Sequence, residues 1–320
     1  MSWPALFGHE AVWERLTRLL DDGRLPHALL LTGPPGIGKA LLAQRLMARL
    51  ACSAPLDAAR STRPCGECAA CRQMAVGSHP DLFAVSAPDR RKEARKKEIG
   101  IDQARDLKRF AQLQAVAAAR KMALVDDADR LSLAAQNAML KTLEEPPGQA
   151  LIVLVTAAPG GLLPTVRSRC QRVLCRPLTE EQVRTVLTGN GIAADEAALL
   201  AAASDGSPGR ALALRATWQE GDQREMERLL ADLDAGRYGS VLAMSKGLGS
   251  SEPETAARLD GLLALCRAAA VDAAAAGDAD ALHRAVRRSE AVAEAARSLR
   301  WRTPNRALLT EALALRLARS

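Results

Sequence analysis

Residues 33–40 read Gly33-Pro34-Pro35-Gly36-Ile37-Gly38-Lys39-Ala40, and this glycine-rich stretch decides the fold around it. It follows the apolar run 28–31 and opens a helical run, 40–50, so the order is strand, tight turn and helix. Backbone N–H groups at a helix N-terminus can surround a phosphate, and the helix dipole favours the anion. The sequence therefore predicts a phosphate-binding loop in which four residues hold a nucleotide: Gly33, Gly36, Gly38 and Lys39.

The loop departs from the usual pattern at Ala40. The position after the lysine normally carries Ser or Thr, whose hydroxyl ligates Mg²⁺, and alanine has no oxygen to offer. We therefore expect the loop to be able to hold ATP or ADP but to lack this ligand, so that Mg²⁺ at this site is in doubt.

Two acidic residues follow a second buried run, 121–125, which is predicted to be a strand. Because ligands bind at the carboxyl ends of parallel strands, we expect Asp126 to orient Mg²⁺ or its waters and Asp127 to polarise the attacking water. A plain acidic turn is the alternative, and Asp127 is one methylene shorter than the Glu usual at its position. A further strand, 151–155, ends at Thr156, which would contact a γ-phosphate or its water, although threonine is equally an ordinary strand residue.

Four cysteines lie at spacings that suit a metal ion. Cys52 stands alone, and Cys65, Cys68 and Cys71 follow with two residues between neighbours. Short turns would bring three sulfurs to one side, and the longer loop would return the fourth. Zn²⁺ is favoured because it accepts four thiolates without redox demands, with an iron–sulfur cluster and four unrelated thiols as the alternatives. Four protein ligands close such a site, so we expect the zinc to be structural.

Composition limits the class of protein. The 320 residues are enough for two or three domains, and 48% apolar but only 2% aromatic residues favour a core of packed Ala, Leu and Val. No apolar run reaches 18 residues and residues 1–4 do not begin a signal peptide, so we expect a cytoplasmic protein with unpaired cysteines and no membrane segment. The net charge of +7 suits a polyanionic partner as well as an ordinary basic protein, and the basic run 90–97 is typical of a solvated loop.

Periodicity and capping predict several helices. One spans 101–119, with Asp102 as its N-cap and three residues facing the core, Leu107, Phe110 and Leu113. Thr179 and Gln182 form a capping box that opens a small helical region, to about residue 213. Residues 214–320 are rich in Ala and Leu and predict further helices, with a solvated basic stripe of Arg284, Arg287 and Arg288.

The motifs together resemble those of a known family. The phosphate loop, the acidic strand, the stretch NAMLKTLEEPP at 137–147, the Thr-tipped strand and Ser-Arg-Cys at 168–170 are similar to those of the clamp-loader ATPases of the AAA+ superfamily. The four-cysteine module narrows the resemblance to the bacterial clamp-loader subunits. Within these, CGECAACRQMAVGSHPDLF at 65–83 and GSPGRALAL at 206–214 are most similar to the delta-prime family of DNA polymerase III. The resemblance covers residues 5 to about 215, and the remainder is similar only in length and character.

The resemblance implies an α/β fold followed by helical domains. Residues 1–176 would form an AAA+ P-loop domain with a parallel sheet, into which a zinc module is inserted at about 52–75. Residues 177–213 would form a small helical lid, and residues 214–320 an all-α collar that mediates oligomerisation.

The resemblance also implies a function. The arginine of Ser-Arg-Cys, here Arg169, would act as a trans arginine finger that reaches the γ-phosphate of ATP on a neighbouring subunit. Ala40 and Asp127 both weaken hydrolysis at the chain's own site, so the chain would be a largely non-hydrolysing stator. Arg210 lies near the family's lid arginine but one residue out of register, so we give it little weight. The partners implied are delta and gamma/tau-like subunits in a hetero-oligomeric ring, with the sliding clamp and primer-template DNA met through the complex and no membrane.

Two other functions remain open at this point. The chain could be a gamma/tau-like motor that hydrolyses ATP with its own loop. It could also be a nucleic-acid-binding zinc protein whose four-cysteine module reads DNA, although the only basic residues near that module are Arg60, Arg63 and Arg72 and no aromatic side chain flanks it.

Overall fold

The computed structural model describes residues 6–54, 64–87, 98–217, 220–237, 239, 252–301 and 305–319. The chain divides into two compact units, Met1–Pro177 and Leu178–Ser320. The basic run 90–97 and the part of the four-cysteine module at 55–63 lie outside the described residues.

A five-stranded parallel sheet forms the centre of the first unit. Its strands in chain order are β1 Ala28–Thr32, β2 Leu82–Val85, β3 Met122–Val125, β4 Leu151–Thr156 and β5 Gln171–Leu174. They lie in the order β2-β3-β4-β1-β5, with Leu30 opposite Leu154 and Val153 opposite Leu124. Every residue of β1, β3 and β4 is buried, as expected for continuous apolar runs at the centre of a parallel sheet.

Six helices accompany the sheet in the described part of the first unit. They are α1 Glu10–Asp21, α2 Lys39–Ala51, α3 Ala69–Ala75, α4 Ile101–Gln112, α5 Leu133–Glu144 and α6 Pro164–Ser168. Short 3₁₀ turns lie at Ala128–Arg130, Pro147–Gln149 and Pro159–Gly161. One apolar core joins strands and helices, since Leu30 and Leu154 of the sheet, Leu107 of α4 and Leu143 of α5 belong to the same buried cluster.

The helix predicted over 101–119 begins at Ile101 as expected, but the predicted N-cap and the predicted C-terminal end are both wrong. The N-cap is Gly100, and Asp102 lies inside the first turn. The helix ends at Gln112, and Leu113, expected to face the core, is 60% exposed. Leu107 is buried as predicted.

Asp81 explains why the helix ends early. Its Oδ1 accepts a hydrogen bond from the N–H of Val116 at 2.9 Å, and its Oδ2 accepts from those of Ala117 and Ala118, both at 2.7 Å. Lys121 Nζ lies 2.9 Å from Asp81 Oδ1. Burial alone would raise the pKa of Asp81, but Lys121 and the three N–H groups hold it well below its usual range. The alanine-rich stretch therefore donates its N–H groups to a distant carboxylate instead of continuing the helix.

The second unit is helical throughout its described part. Its helices are α7 Glu180–Gly189, α8 Ala194–Ala203, α9 Pro208–Thr217, α10 Glu220–Asp234, α11 Glu252–Ala276, α12 Ala279–Trp301 and α13 Arg306–Leu317. The predicted capping box is present, because Thr179 Oγ1 accepts from the Gln182 N–H at 3.2 Å and Gln182 Oε1 accepts from the Thr179 N–H at 2.9 Å. Among the described helices, none has the length and apolar character that a membrane span requires.

One expectation for this unit is wrong. Arg284 and Arg287 are exposed, but Arg288 is buried, and its Nη1 lies 2.8 Å from Asp234 Oδ1. The arginine thus joins α12 to the end of α10 and is not part of a solvated stripe.

The fold class predicted from the sequence is confirmed. A phosphate loop connects β1 and α2 of a parallel sheet, a four-cysteine cluster is inserted between α2 and β2, and a helical region follows. The division of residues 177–320 into a lid and a collar stays a prediction.

Candidate nucleotide site and four-cysteine centre

The loop between β1 and α2 is shaped by its glycines. A Cβ on Gly33 would lie 2.3 Å from the carbonyl oxygen of Cys175 and 2.9 Å from Ile37 Cδ1, so no larger residue fits without a backbone shift. Gly36 and Gly38 have φ angles of 73° and 97°, which glycine adopts at little cost. The loop therefore curves tightly before the N-terminus of α2, where the first N–H groups of a helix have no intrahelical partner.

Lys39 begins α2 and folds back over the loop. Its Nζ donates to the carbonyl oxygens of Gly33 at 2.8 Å and Pro34 at 2.5 Å. Burial lowers the pKa of Lys39, while negative charge near it acts in the opposite direction, chiefly from Cys175 and Asp126. The ammonium is thus placed at the mouth of the loop, with acidic groups close by.

A cavity of about 310 Å³ lies in front of this loop, a volume within the usual range for small-molecule sites. The structure brings six of the predicted nucleotide-binding residues to its wall: Gly36, Gly38, Lys39, Asp126, Asp127 and Thr156. Gly33 shapes the loop behind it. Ala40 also lines the cavity, so the position that lacks a hydroxyl faces the space where a metal ligand would be needed.

The two acids after β3 have different surroundings. The N–H of Asp127 donates to Asp126 Oδ1 at 3.0 Å. Burial raises the pKa of Asp126, the neighbouring charge of Asp127 adds to this, and Lys39 acts in the opposite direction. Asp127 has a left-handed backbone, φ 51°, and its side chain is 55% exposed. Asp126 is therefore the enclosed acid of the pair and Asp127 the open one.

Thr156 makes a contact that the sequence did not indicate. Its hydroxyl donates to Asp129 Oδ1 and accepts from the N–H of Ala158 at 3.0 Å. The only hydroxyl proton of this buried residue is therefore committed to Asp129. The signal that could have identified Asp129 is its place in the sequence, two residues after Asp127 at the same edge of the sheet.

His9 is a second residue that the sequence did not indicate. It is 2% exposed, and its Nε2 lies 2.7 Å from the carbonyl oxygen of Ile37, to which it must donate because a carbonyl only accepts. The histidine thus braces the loop from the side of α1. No periodicity or motif singles it out.

The four cysteines converge, and their Sγ atoms all lie within 4.8 Å of one another. The Sγ atoms of Cys65 and Cys71 are 3.8 Å apart, and those of Cys52 and Cys68 are 4.0 Å apart. A tetrahedral zinc with Zn–S bonds of about 2.3 Å requires sulfurs about 3.8 Å apart. The donor set and the spacing therefore fit Zn²⁺.

Backbone groups support the same centre. The N–H of Cys68 points to the sulfur of Cys65 at 3.3 Å, and that of Cys71 to the sulfur of Cys68 at 3.4 Å. Burial opposes the thiolate at Cys68, but N–H donors from Cys71 and Ser53 lower its pKa to about 6. Burial raises the pKa of Cys71.

Arg169 lies apart from the cavity wall. It follows α6, its Nη1 donates to the carbonyl oxygen of Thr165 at 3.1 Å, and its Nη2 donates to Glu144 Oε2 at 3.2 Å. The side chain is 32% exposed. The structure thus places Arg169 at the surface of the first unit, paired with the first glutamate of Glu144-Glu145-Pro146-Pro147.

Arg210 is enclosed by acids within the second unit. Its Nε donates to Asp260 Oδ2 at 3.1 Å and its Nη1 donates to Asp205. Arg267 Nη1 holds the other oxygen of Asp205 at 2.7 Å. These contacts join the start of α9 to α11. They explain the position of Arg210 as a structural ion pair, with no need for a bound nucleotide.

Comparison with known proteins places the chain in a family. A family model described as DNA polymerase III, delta subunit, matches residues 8–179. DNA polymerase III subunit delta' of Pseudomonas aeruginosa is 40% identical over 168 residues, which are 52% of this chain and 47% of that protein. The subunit delta' of Escherichia coli is 38% identical over 204 residues, 63% of this chain and 58% of that protein.

DNA polymerase III subunit tau of Bacillus subtilis is 31% identical over 214 residues, 65% of this chain and 36% of that protein. The chain thus spans about half the length of the curated delta' relatives that it matches. The family model covers more than half of the 320 residues, and the phosphate loop, the four cysteines and Arg169 all lie within the matched part. The chain belongs to the delta-prime family of DNA polymerase III.

Proposed function

We propose that this chain is a clamp-loader subunit that hydrolyses little or no ATP itself and supplies Arg169 to the ATP site of a neighbouring subunit. The observation that carries the proposal is Ala40, which faces the cavity beside Lys39 without an oxygen for Mg²⁺. Asp127 is shorter than the usual glutamate, and the hydroxyl of Thr156 is bonded to Asp129. Each departure concerns a group that would otherwise serve the metal or the attacking water.

The chain's own site would still bind ATP or ADP. Gly33, Gly36 and Gly38 keep the loop geometry that exposes backbone N–H groups, and Lys39 supplies the cation. Asp126 would be the residue that orients Mg²⁺ or its waters, since Ala40 contributes no ligand. A nucleotide here would serve as a structural ligand.

The remaining parts of the proposal concern zinc and partners. Cys52, Cys65, Cys68 and Cys71 would hold a structural Zn²⁺ that ties the segment after α2 to α3. The partners would be delta and gamma/tau-like subunits in a hetero-oligomeric ring that loads a sliding clamp onto primer-template DNA in the cytoplasm. Family membership supports this assignment.

The test measures ATP turnover of the isolated chain and of the complex assembled with its ATPase subunits, the clamp and primed DNA. The isolated chain should show no turnover above background. Arg169→Ala should slow hydrolysis at the adjacent site by about a thousandfold or more, so that total turnover falls by the share of that site. Arg167→Ala, two residues away and exposed, is the matched control. Unchanged turnover of the Arg169→Ala complex would remove the finger assignment.

A motor subunit is the second candidate, because the subunit tau of Bacillus subtilis is 31% identical and the glycines and lysine of the loop are intact. Hydrolysis by the isolated, unmodified chain separates the two functions. Turnover that is lost on Lys39→Ala would establish the motor and exclude the stator.

A further inference from the structure

Arg169 is held from two sides by its own unit. Its two terminal nitrogens donate to the Thr165 carbonyl and to Glu144 Oε2, at 3.1 and 3.2 Å. A guanidinium has about five N–H donors, and these contacts use two of them. The Nε group is buried and has no hydrogen-bond partner among the described residues. The side chain is therefore fixed in place, yet each terminal nitrogen keeps a second N–H for another acceptor.

The backbone of Glu144 is fixed as well. It is the last residue of α5, and the side chain of Leu143 before it is fully buried. The carbonyl oxygen of Leu143 accepts a hydrogen bond at 2.9 Å from Nε2 of His27, the residue directly before β1. The N–H of Glu145 donates to the Lys141 carbonyl at 3.0 Å, and two prolines then prevent the helix from continuing. Glu144 therefore stands at a defined point on the surface.

Helix electrostatics do not explain a glutamate at this position. The C-terminal end of a helix carries partial negative charge, so an anion in the last turn is disfavoured and a cation is favoured. Glu144 is in that last turn of α5, which also contains Lys141, but its ion-pair partner is Arg169, 25 residues away in the chain. The Glu144 carboxylate therefore serves its interaction with Arg169 and does not stabilise the helix.

The ion pair between Arg169 and Glu144 lies where a phosphate could replace the carboxylate. The side chains of Arg169 and Glu144 are 32% and 58% exposed, so the ion pair can open without disturbing the core. An exposed pair of this kind is weak, whereas an arginine can hold a phosphate with two parallel hydrogen bonds. A phosphate that approaches from outside the unit would therefore replace the carboxylate as the partner of Nη2.

We propose that Glu144 is the positioning residue for Arg169: it holds the guanidinium in one orientation at the surface and releases it to the phosphate of a nucleotide on the neighbouring subunit. The inference rests on the finger role given to Arg169 under the proposed function. A free arginine side chain samples many rotamers, and the carboxylate restricts them before the neighbour arrives.

The experiment compares steady-state ATP turnover of complexes assembled with Glu144→Gln, Arg169→Ala, the double variant and Glu145→Gln. Glu144→Gln removes the charge but keeps the shape, and Glu145 is the exposed neighbouring glutamate that serves as the control. We expect Glu144→Gln to lower kcat at the adjacent site about three- to tenfold while KM for ATP stays unchanged. Glu145→Gln should match the unmodified complex.

The double variant separates positioning from stability. If Glu144 acts through Arg169, Glu144→Gln adds no further loss in the Arg169→Ala background. An additive loss, or a kcat for Glu144→Gln equal to that of the unmodified complex, overturns the inference and leaves the finger role standing. No effect of Arg169→Ala overturns the proposed function itself. Should Glu144→Gln fail to assemble, Glu144→Asp provides the same comparison with the charge retained and the reach shortened.

Discussion

Asp81→Asn is the substitution that most directly tests how the first unit is held together. Asp81 is fully buried, accepts N–H groups from three successive residues, 116–118, and lies 2.9 Å from Lys121 Nζ. Asparagine keeps the size but removes the charge, and its NH₂ group would face N–H donors. The expected result is a large loss of stability, because a buried ammonium and two or more amides would lose their partner.

The magnitude follows from these contacts. The side chain of Lys121 is 6% exposed, and without the carboxylate its remaining contacts among the described residues are the Pro80 carbonyl at 3.3 Å and the face of Phe110 at 4.6 Å. Breaking a buried ion pair on one side costs about 3–5 kcal/mol. For a unit of this size, each kcal/mol lowers Tm by about 2–4 °C, so we expect a decrease of about 6–20 °C.

The loss of stability caused by Asp81→Asn should also depend on pH and become smaller in acid. The folded state lowers the pKa of Asp81, so the stability it contributes is fully present above the unfolded pKa of about 3.9. That contribution is lost as pH falls from there towards the folded pKa. The difference between the two proteins should therefore stay constant from about pH 5 to 8 and narrow below about pH 4.

Two measurements check this prediction. Thermal unfolding followed by circular dichroism gives Tm, and hydrogen exchange reports the amides of 116–118, which should lose protection in Asp81→Asn. Asp106→Asn is the control, because its 3.4 Å pair with Arg109 is exposed and should contribute less than about 0.5 kcal/mol. A loss below about 1 kcal/mol with protection at 116–118 retained would refute the reasoning.

Three further predictions concern the other centres. Cys71→Ser should reduce the zinc content from one ion per chain to none and lower Tm, whereas the control Cys266→Ser should retain one zinc ion per chain. Elemental analysis after gel filtration measures the zinc content, and full occupancy in Cys71→Ser would contradict the assignment. Gly33→Ala should lower the free energy of unfolding, measured by urea titration, by about 2–4 kcal/mol and abolish nucleotide binding, because its Cβ would lie 2.3 Å from the Cys175 carbonyl oxygen. Gly160→Ala is the control: its Cβ would have no neighbour within 4 Å, so the same titration should show almost no change. Ala40→Thr should make ATP affinity rise on adding Mg²⁺, as measured by titration with a fluorescent nucleotide, and an unchanged Mg²⁺ dependence would contradict the role given to this position.

The local features of this fold were readable from the sequence. The phosphate loop, the apolar strands and the capping box at Thr179 depend on residues a few positions apart, and each has a fixed period or spacing. The four cysteines were readable for the same reason, since their spacing reflects the turns that bring sulfurs together. In the loop, the capping box and the Cys65–Cys71 run, the sequence neighbours are also the spatial neighbours.

The features that escaped prediction are side-chain pairs between distant residues. Asp81 ends α4 by accepting N–H groups about 35 residues away, and the alanine-rich sequence beyond Gln112 gives no sign of it. Arg288 is buried through Asp234, 54 residues away, although its neighbours predicted a solvated face. Helix propensity is weak beside a buried carboxylate that requires donors, so tertiary contacts prevail at these positions.

Under the proposed function, the departures around the cavity would separate nucleotide binding from hydrolysis in this chain. Phosphate binding needs backbone N–H groups and a cation, and Gly33, Gly38 and Lys39 supply both. Hydrolysis also needs oxygens that hold a metal and aim a water, and the missing hydroxyl of Ala40 and the committed hydroxyl of Thr156 both fall on that side. A nucleotide that is bound but not turned over stabilises the unit by mass action alone. Under the proposed function, the residue that would influence chemistry is Arg169, which lies away from the cavity wall and is 32% exposed at the surface of the first unit.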